Sequence, residues 1–103
     1  MTATADSLDA LPDAVAAAAF RRLVHHLRHR HDAENIELMG LAGFCRNCLA
    51  DWLREGGYDG DKGAARELIH GMPMEEWKAR FQGEATPEQM ARMEESLARN
   101  PGT

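Results

Sequence analysis

The sequence has few cysteines and no long apolar run, and each shortage excludes a class of protein. Two cysteines among 103 residues are too few for the disulfide scaffold of a small secreted protein. No window approaches the roughly 20 apolar residues of a transmembrane helix. The apolar run at residues 15–20 lacks the basic start of a signal peptide, because Asp6, Asp9 and Asp13 precede it. We therefore expect a cytoplasmic protein whose thiols are reduced.

Basic residues are also in the minority, and this bears on the partners of the protein. The chain carries 12 lysine and arginine residues against 17 aspartate and glutamate residues, a formal net charge of −5. Binding to nucleic acid or to an anionic membrane surface depends on an excess of positive charge. Neither partner is therefore expected, although residues 21–30 form one basic segment.

No segment alternates apolar and polar residues as a β-strand does, and the apolar residues instead recur at steps of three and four. The length fits one domain, residues 1–103, whose first 11 residues we expect to fray. Proline, glycine and capping residues divide the remainder into predicted helices at about 12–31, 35–55, 62–70, 73–82 and 87–99. The predicted fold is all-α, a compact orthogonal array of about five helices.

The second predicted helix contains the most distinctive stretch of the chain, residues 38–53. Its apolar residues are spaced to share one helical face. They are Leu38, Leu41, Ala42, Cys45, Cys48, Leu49 and Trp52. Gly40 and Gly43 each cost about 1 kcal/mol relative to alanine inside a helix. These glycines predict either close approach by a neighbouring helix or a break between two helices near Gly40.

Cys45 and Cys48 are three residues apart, which places both thiols on one face of a helix. Such a pair can be buried as small apolar side chains, bind one metal ion, or cycle between thiols and a disulfide. His26 borders the apolar face of the first helix and is the candidate third ligand of a zinc site. His70 or a histidine of another chain would complete such a site. For redox chemistry, Arg46 and the helix dipole would favour the thiolate.

A second group of polar residues is a candidate site for a small anion. Its members are Arg21, Arg46, Asn47, Glu76 and Lys78. The spacing places Arg46 and Asn47 on the polar side of their helix, opposite the two cysteines. Ordinary surface ion pairs explain the same residues. Because no nucleophile–base pair, phosphate loop or paired carboxylates occur in the sequence, we name no catalytic residue and do not expect an enzyme.

Three segments stand out as a set, at residues 19–27, 35–49 and 71–78. The most specific is Ala-Gly-Phe-Cys-Arg-Asn-Cys-Leu at residues 42–49, and Gly-Met-Pro-x-x-Glu-Trp-Lys follows at 71–78. Together they resemble a family of short proteobacterial proteins known as a domain of unknown function. The resemblance covers residues 20 to about 85 and implies a compact helical fold and a cytoplasmic location, but no reaction. His26 belongs to the shared pattern, whereas His25, His29 and His31 do not.

The function that the sequence favours is that of a binding or assembly module that associates with itself as a dimer. Six methionines and two tryptophans suit adaptable helix–helix contacts, and a homodimer is the commonest assembly of soluble proteins. The methionines equally suit an ordinary core. The alternative is a small metal-binding or thiol-redox protein that uses Cys45 and Cys48.

Overall fold

Helices account for all the regular structure in the computed structural model, which describes residues 5–101. The helices are α1 (Ala5–Asp9), α2 (Asp13–Leu27), α3 (Asn35–Ala42), α4 (Arg46–Glu55), α5 (Lys62–His70), α6 (Met74–Phe81) and α7 (Pro87–Leu97). The predicted all-α class is confirmed, but the number of helices is seven over the described range rather than about five. None of these helices has the length and apolar character that a membrane crossing requires.

Helix α5 begins and ends, and α7 begins, where the capping residues predict. The side chain of Asp61 accepts a hydrogen bond from the amide of Ala64 at 2.8 Å, which starts α5. Gly71 ends α5 in the left-handed conformation, with a φ of 83°. Thr86 and Gln89 form a reciprocal capping box at the start of α7.

The predicted helix at 35–55 is two helices, and the break lies at Gly43 rather than near Gly40. Gly43 has a φ of 76° and ends α3, and the chain is extended again at Cys45 before α4 begins. The break resets the helical phase, so the apolar face predicted across it is wrong at Leu41 and Trp52. These side chains are 82% and 52% exposed, respectively.

The face that α4 turns inward consists of residues at steps of three and four counted from its own first residue. Arg46, Leu49 and Ala50 are buried on this face and Leu53 is half-buried. The prediction that Arg46 projects to the polar side is therefore wrong, because it counted the helical phase from α3. Gly40 fits the predicted close approach of a neighbouring helix. A β-carbon at this position would lie 3.1 Å from the side chain of Arg92 on α7.

The structure differs from the prediction both before α2 and at the C-terminal end of α2. Residues 1–4 of the segment expected to fray lie outside the described residues, and Ala5–Asp9 form the short helix α1. Helix α2 ends at Leu27, four residues earlier than predicted, and turns follow it. Val24 and Leu27 are its buried residues, whereas Val15 and Leu23 are 52% and 38% exposed.

The core forms where α2, α4 and α5 meet. Its buried side chains are Val24, Leu27, Leu49, Ala50, Ala65 and Ile69. Helix α6 packs on α5, and α7 packs on α3. The helices form one compact globule, as predicted, with a radius of gyration of 15.2 Å and extents of 43 × 29 × 23 Å.

Candidate functional site

The two thiols lie at the start of α4, in the tightest turn of the central segment. Cys45 is the N-cap residue with extended backbone angles, and Cys48 is the third residue of the helix. The Cys48 amide donates a hydrogen bond to the Cys45 carbonyl at 3.0 Å. Both cysteines are free thiols, Cys45 buried and Cys48 half-buried. The break at Gly43 therefore places the pair at a helix N-terminus rather than inside a helix.

Burial raises the pKa of the Cys45 thiol, and this effect outweighs the backbone amides of Cys48 and Asn47, which act in the opposite direction. Cys45 is consequently a protonated thiol at neutral pH. The expectation that the helix dipole and Arg46 would favour its thiolate does not hold for this cysteine, because desolvation is the largest contribution.

Between the cysteines, Arg46 is completely buried and joins the end of α2 to α4. Its Nη1 donates to the carbonyl of Ala33 at 2.6 Å, and its Nη2 donates to the carbonyls of Arg30 at 2.8 Å and Leu27 at 3.3 Å. The guanidinium also lies 5.3 Å from the ring centre of Trp77. Among residues 5–101, Arg46 forms no salt bridge, so carbonyl dipoles and the indole ring surround its charge.

Asn35 relays the network from Arg46 to His70. The Oδ1 of Asn35 accepts from Arg46 Nη1 at 3.1 Å, which leaves Nδ2 to face His70 Nε2 at 3.2 Å. His70 Nδ1 lies 2.7 Å from the carbonyl of Arg66. A carbonyl only accepts, so Nδ1 carries the proton and Nε2 accepts from Asn35. Burial lowers the pKa of His70, which favours this neutral form.

A second histidine closes the network on the α6 side. The indole N–H of Trp77 donates to Nδ1 of His31 at 3.1 Å, and His31 stacks on Phe81 with the ring centres 4.2 Å apart. Burial, together with the positive charges of Arg46 and Arg80, lowers the pKa of His31. The buried polar network therefore contains Asn35, Arg46, His70, Trp77 and His31, with both histidines neutral.

A cavity of about 260 Å³ opens beside Cys45. Its lining combines polar groups with thioether and apolar side chains: Glu34, Asn35, Ile36, Met39, Cys45, Asn47, Gln82, Gly83, Ala85 and Met93. The Oδ1 atom of Asn47 is buried here without a hydrogen-bond partner. The cavity is large enough for a small molecule and has one unused acceptor.

The predicted metal ligands do not all lie in one place. Cys45 and Cys48 share the α4 N-terminus, whereas His26 is exposed on α2. Across the described residues, no three histidine, cysteine, aspartate or glutamate side chains are grouped so that they could hold a metal ion. His70, the other candidate, bonds to Asn35 and Arg66 instead. Zinc binding by Cys45, Cys48 and His26 stays a prediction.

The residues of the predicted anion site are distributed over several surfaces. Arg46 is buried, and Asn47 lines the cavity beside Cys45. Arg21 lies on α2. Glu76 is exposed and pairs with Arg80 at 3.0 Å, and Lys78 is exposed on α6. Anion binding by the whole set likewise stays a prediction.

A second candidate region is the outer part of α2. None of residues 13–23 is buried. The α2 surface, as we name it, consists of the exposed side chains Leu8, Leu11, Val15 and Leu23. The α2 groove, as we name it, runs along the core-facing side of α2, is about 470 Å³ in volume and is lined by Ala17, Phe20, Arg21, Val24, His25, Arg28, Leu53, Leu68 and Ile69. Apolar side chains dominate the groove, and Arg21, His25 and Arg28 lie along it.

A comparison with protein families matches the part of the chain that contains both cysteines. The family model described as "Protein of unknown function (DUF1244)" matches residues 33–95, which is more than half of the chain. The chain belongs to the DUF1244 family. A comparison with curated proteins found no match. The matched residues of this DUF1244 protein include α3 to α6 and most of α7, but not α2.

The separation of Asn35, Trp77 and His31 along the sequence gives no sign that they form one network. Trp77 is fully buried. Asn35 is the first residue of α3, whose N-cap Glu34 forms a capping box with Glu37. Only the contacts across the fold show that Asn35, 35 residues from His70, joins it to Arg46.

Proposed function

We propose that this DUF1244 protein is a small cytoplasmic binding module that self-associates, with a second copy packed along the side of α2 that holds Asp13, Ala17 and Arg21, beside the α2 groove. The observation that carries the proposal is the absence of any buried residue over 13–23, next to a groove lined mainly by apolar side chains. An isolated helix of 15 residues is marginally stable in water. A partner that buries this face would stabilise the helix.

The distribution of charge along α2 favours a second copy as that partner. Asp13 is the first residue of α2, and Asp9 ends the short helix α1 just before it, while Arg21 and Arg28 lie along the groove toward the end of α2. Two copies of α2 packed antiparallel would place the acidic start of each beside the basic part of the other. With the symmetry axis near Ala17, Asp13 of one copy would face Arg21 of the other.

The small residues of α2 fit the same arrangement. Residues 16–19 are four consecutive alanines at the centre of the proposed pairing. Short side chains let two helix backbones approach closely, and a twofold axis makes each contact occur twice.

Sedimentation velocity over a wide range of protein concentration tests the proposal. The native protein should shift from monomer to dimer as concentration rises. Asp13→Arg and Arg21→Asp should each weaken the dimer, and the double variant should restore it, because the pair exchanges charges across the interface. Arg54→Asp, at an exposed site on α4, is the matched control.

A monomer at every concentration would refute self-association. A dimer that dissociates equally in the Arg54→Asp control, or that the double variant does not restore, would refute the antiparallel α2 pairing. Circular dichroism of each variant establishes that the helices are retained, so that a loss of dimer reflects the interface.

A further inference from the structure

The position of the cysteines at the start of α4 allows them to be joined without rearranging the fold. Residues three apart on a helix have α-carbons about 5 Å apart, and disulfides join α-carbons separated by about 4.4–6.8 Å. Cys45 is the N-cap and keeps extended backbone angles, so its side chain has more freedom than one inside the helix. Its thiol also interacts with that of Cys48.

The surroundings distinguish the two thiols. Cys48 is half-buried, so solvent and small molecules reach it. Cys45 is 5% exposed and faces the cavity of about 260 Å³. The backbone amides of Asn47 and Cys48 lie against the Cys45 sulfur and stabilise negative charge on it. Cys48 is therefore the accessible thiol, and Cys45 is the protected one held within reach of it.

We infer that Cys45 and Cys48 form a reversible intramolecular disulfide by exchange with the disulfides of small thiol compounds. The burial of Cys45 and the size of the cavity favour a small disulfide over one held on the surface of a protein. This inference goes beyond self-association, because it concerns α4 and the cavity beside Cys45 rather than helix α2.

The exchange has two balanced steps. The Cys48 thiolate attacks one sulfur of the small disulfide, a bond forms between them, and the first small thiolate leaves and takes up a proton. Cys45 then loses its proton to solvent, and its sulfur attacks the Cys48 sulfur. The mixed disulfide breaks, and the second small thiolate leaves and is protonated. The Cys45–Cys48 pair is oxidised by two electrons, and the small disulfide is reduced to two thiols.

Equilibration in buffers of reduced and oxidised glutathione, followed by acid quenching, alkylation and mass spectrometry, tests the inference. The full-length protein should show an intramolecular disulfide whose amount follows the glutathione ratio and which dithiothreitol reverses. The Cys45→Ser variant should accumulate a mixed disulfide with glutathione at Cys48. The Cys48→Ser variant should accumulate several-fold less at Cys45, because that thiol is buried and protonated.

Two results would overturn the inference. The first is that both thiols of the native protein stay reduced throughout the glutathione series while denatured protein forms the disulfide. The second is that Cys45 forms the mixed disulfide as fast as Cys48. If a serine variant does not fold, the order in which a limiting amount of iodoacetamide labels the native protein decides, with Cys48 expected first. The oligomeric state measured in parallel keeps this result separate from the proposed self-association.

Discussion

The indole nitrogen of Trp77 donates a hydrogen bond to Nδ1 of His31, 46 residues earlier in the chain, at 3.1 Å. The bond needs an unprotonated Nδ1, just as the bond from Asn35 needs an unprotonated Nε2 on His70. Two positions of the folded protein therefore accept only a neutral imidazole. Lysine and arginine could not replace either ring, and an added proton would place two donors face to face.

We predict that the free energy of unfolding falls as the pH is lowered through about 6.5, the ordinary histidine pKa. The folded pKa values of His31 and His70 are both lowered, chiefly by burial. The unfolded chain therefore binds more protons in this range, so acidification favours it. The stabilisation is complete above the unfolded pKa and is lost as the pH falls toward the folded values. Thermal melts between about pH 7.5 and 5 measure the effect.

Two variants assign this pH dependence. His70→Gln should flatten the dependence of the melting temperature on pH, because an amide does not titrate in this range. The same change at His26, which is exposed on α2, should leave the dependence as it is in the native protein. A native melting temperature that is constant over the range would contradict the neutral-histidine network.

Replacement of Arg46 should be among the most destabilising single changes in the chain. Arg46→Ala leaves the carbonyls of Leu27, Arg30 and Ala33 without their donor and removes the contact with Trp77. Hydrogen bonds to charged groups contribute about 1.5–3 kcal/mol each, so we expect a loss of about 3 kcal/mol or more in urea unfolding. Arg46→Lys should recover little, since one ammonium cannot reproduce the planar fork.

Arg54→Ala is the matched control for this experiment, because Arg54 is exposed on the same helix. It should change the free energy of unfolding by less than about 0.5 kcal/mol. If Arg46→Ala were as mild as the control, the contacts that join α2 to α4 would carry little of the stability.

The two glycines of α3 should respond in different ways to the same substitution. Gly43→Ala forces a side chain into the left-handed region and places its β-carbon 2.2 Å from Oδ1 of Asn100. The conformation alone costs about 1–2 kcal/mol, and the hydrogen bond from Asn100 to the Gly43 carbonyl must also shift. Chemical denaturation should show a clear loss of stability.

Gly40→Ala should be milder, because its β-carbon would meet the flexible side chain of Arg92 at 3.1 Å. Alanine also gains about 1 kcal/mol over glycine within a helix, which offsets part of the crowding against α7. Equal losses for the two substitutions would contradict the assignment of Gly43 alone as the break between α3 and α4.

Serine replacement should separate the structural roles of the two cysteines. Cys45→Ser puts a hydroxyl into a buried site, which costs about 1–3 kcal/mol, whereas Cys48→Ser changes a half-buried position and should cost less. Melting temperatures measured under reducing conditions compare them. A larger effect at Cys48 would contradict the burial of Cys45.

Capping residues in the sequence predict where several helices end. They do not show that the break between α3 and α4 lies at Gly43 rather than at Gly40. Thr86 with Gln89, Asp61 and Gly71 each satisfy nearby backbone groups, so neighbouring residues are enough to predict them. Gly40 and Gly43 are both glycines within the predicted helix, and the sequence around them gives no reason to choose one as the break. In the fold, Asn100 donates a hydrogen bond to the Gly43 carbonyl from 57 residues away, a contact that the sequence does not show.

The misplaced helical phase also gave Arg46 the wrong orientation. A phase counted through Gly43 places Arg46 outward and Trp52 inward, and a phase counted from Arg46 reverses both. Arginine is almost never fully buried without a partner, so composition also argued for an exposed position. Its partners are mainly backbone carbonyls, which any residue type can supply and which therefore leave no trace in the sequence.

The exposed stretch of α2 also bears on how the chain folds. Residues 13–23 contain no buried side chain, so the amide protons of this stretch would exchange with solvent quickly in a single copy. If a second copy covers the stretch, formation of this part of the helix becomes coupled to association. The fraction of helical residues, measured by circular dichroism, would then rise with protein concentration as more of the chain forms dimers.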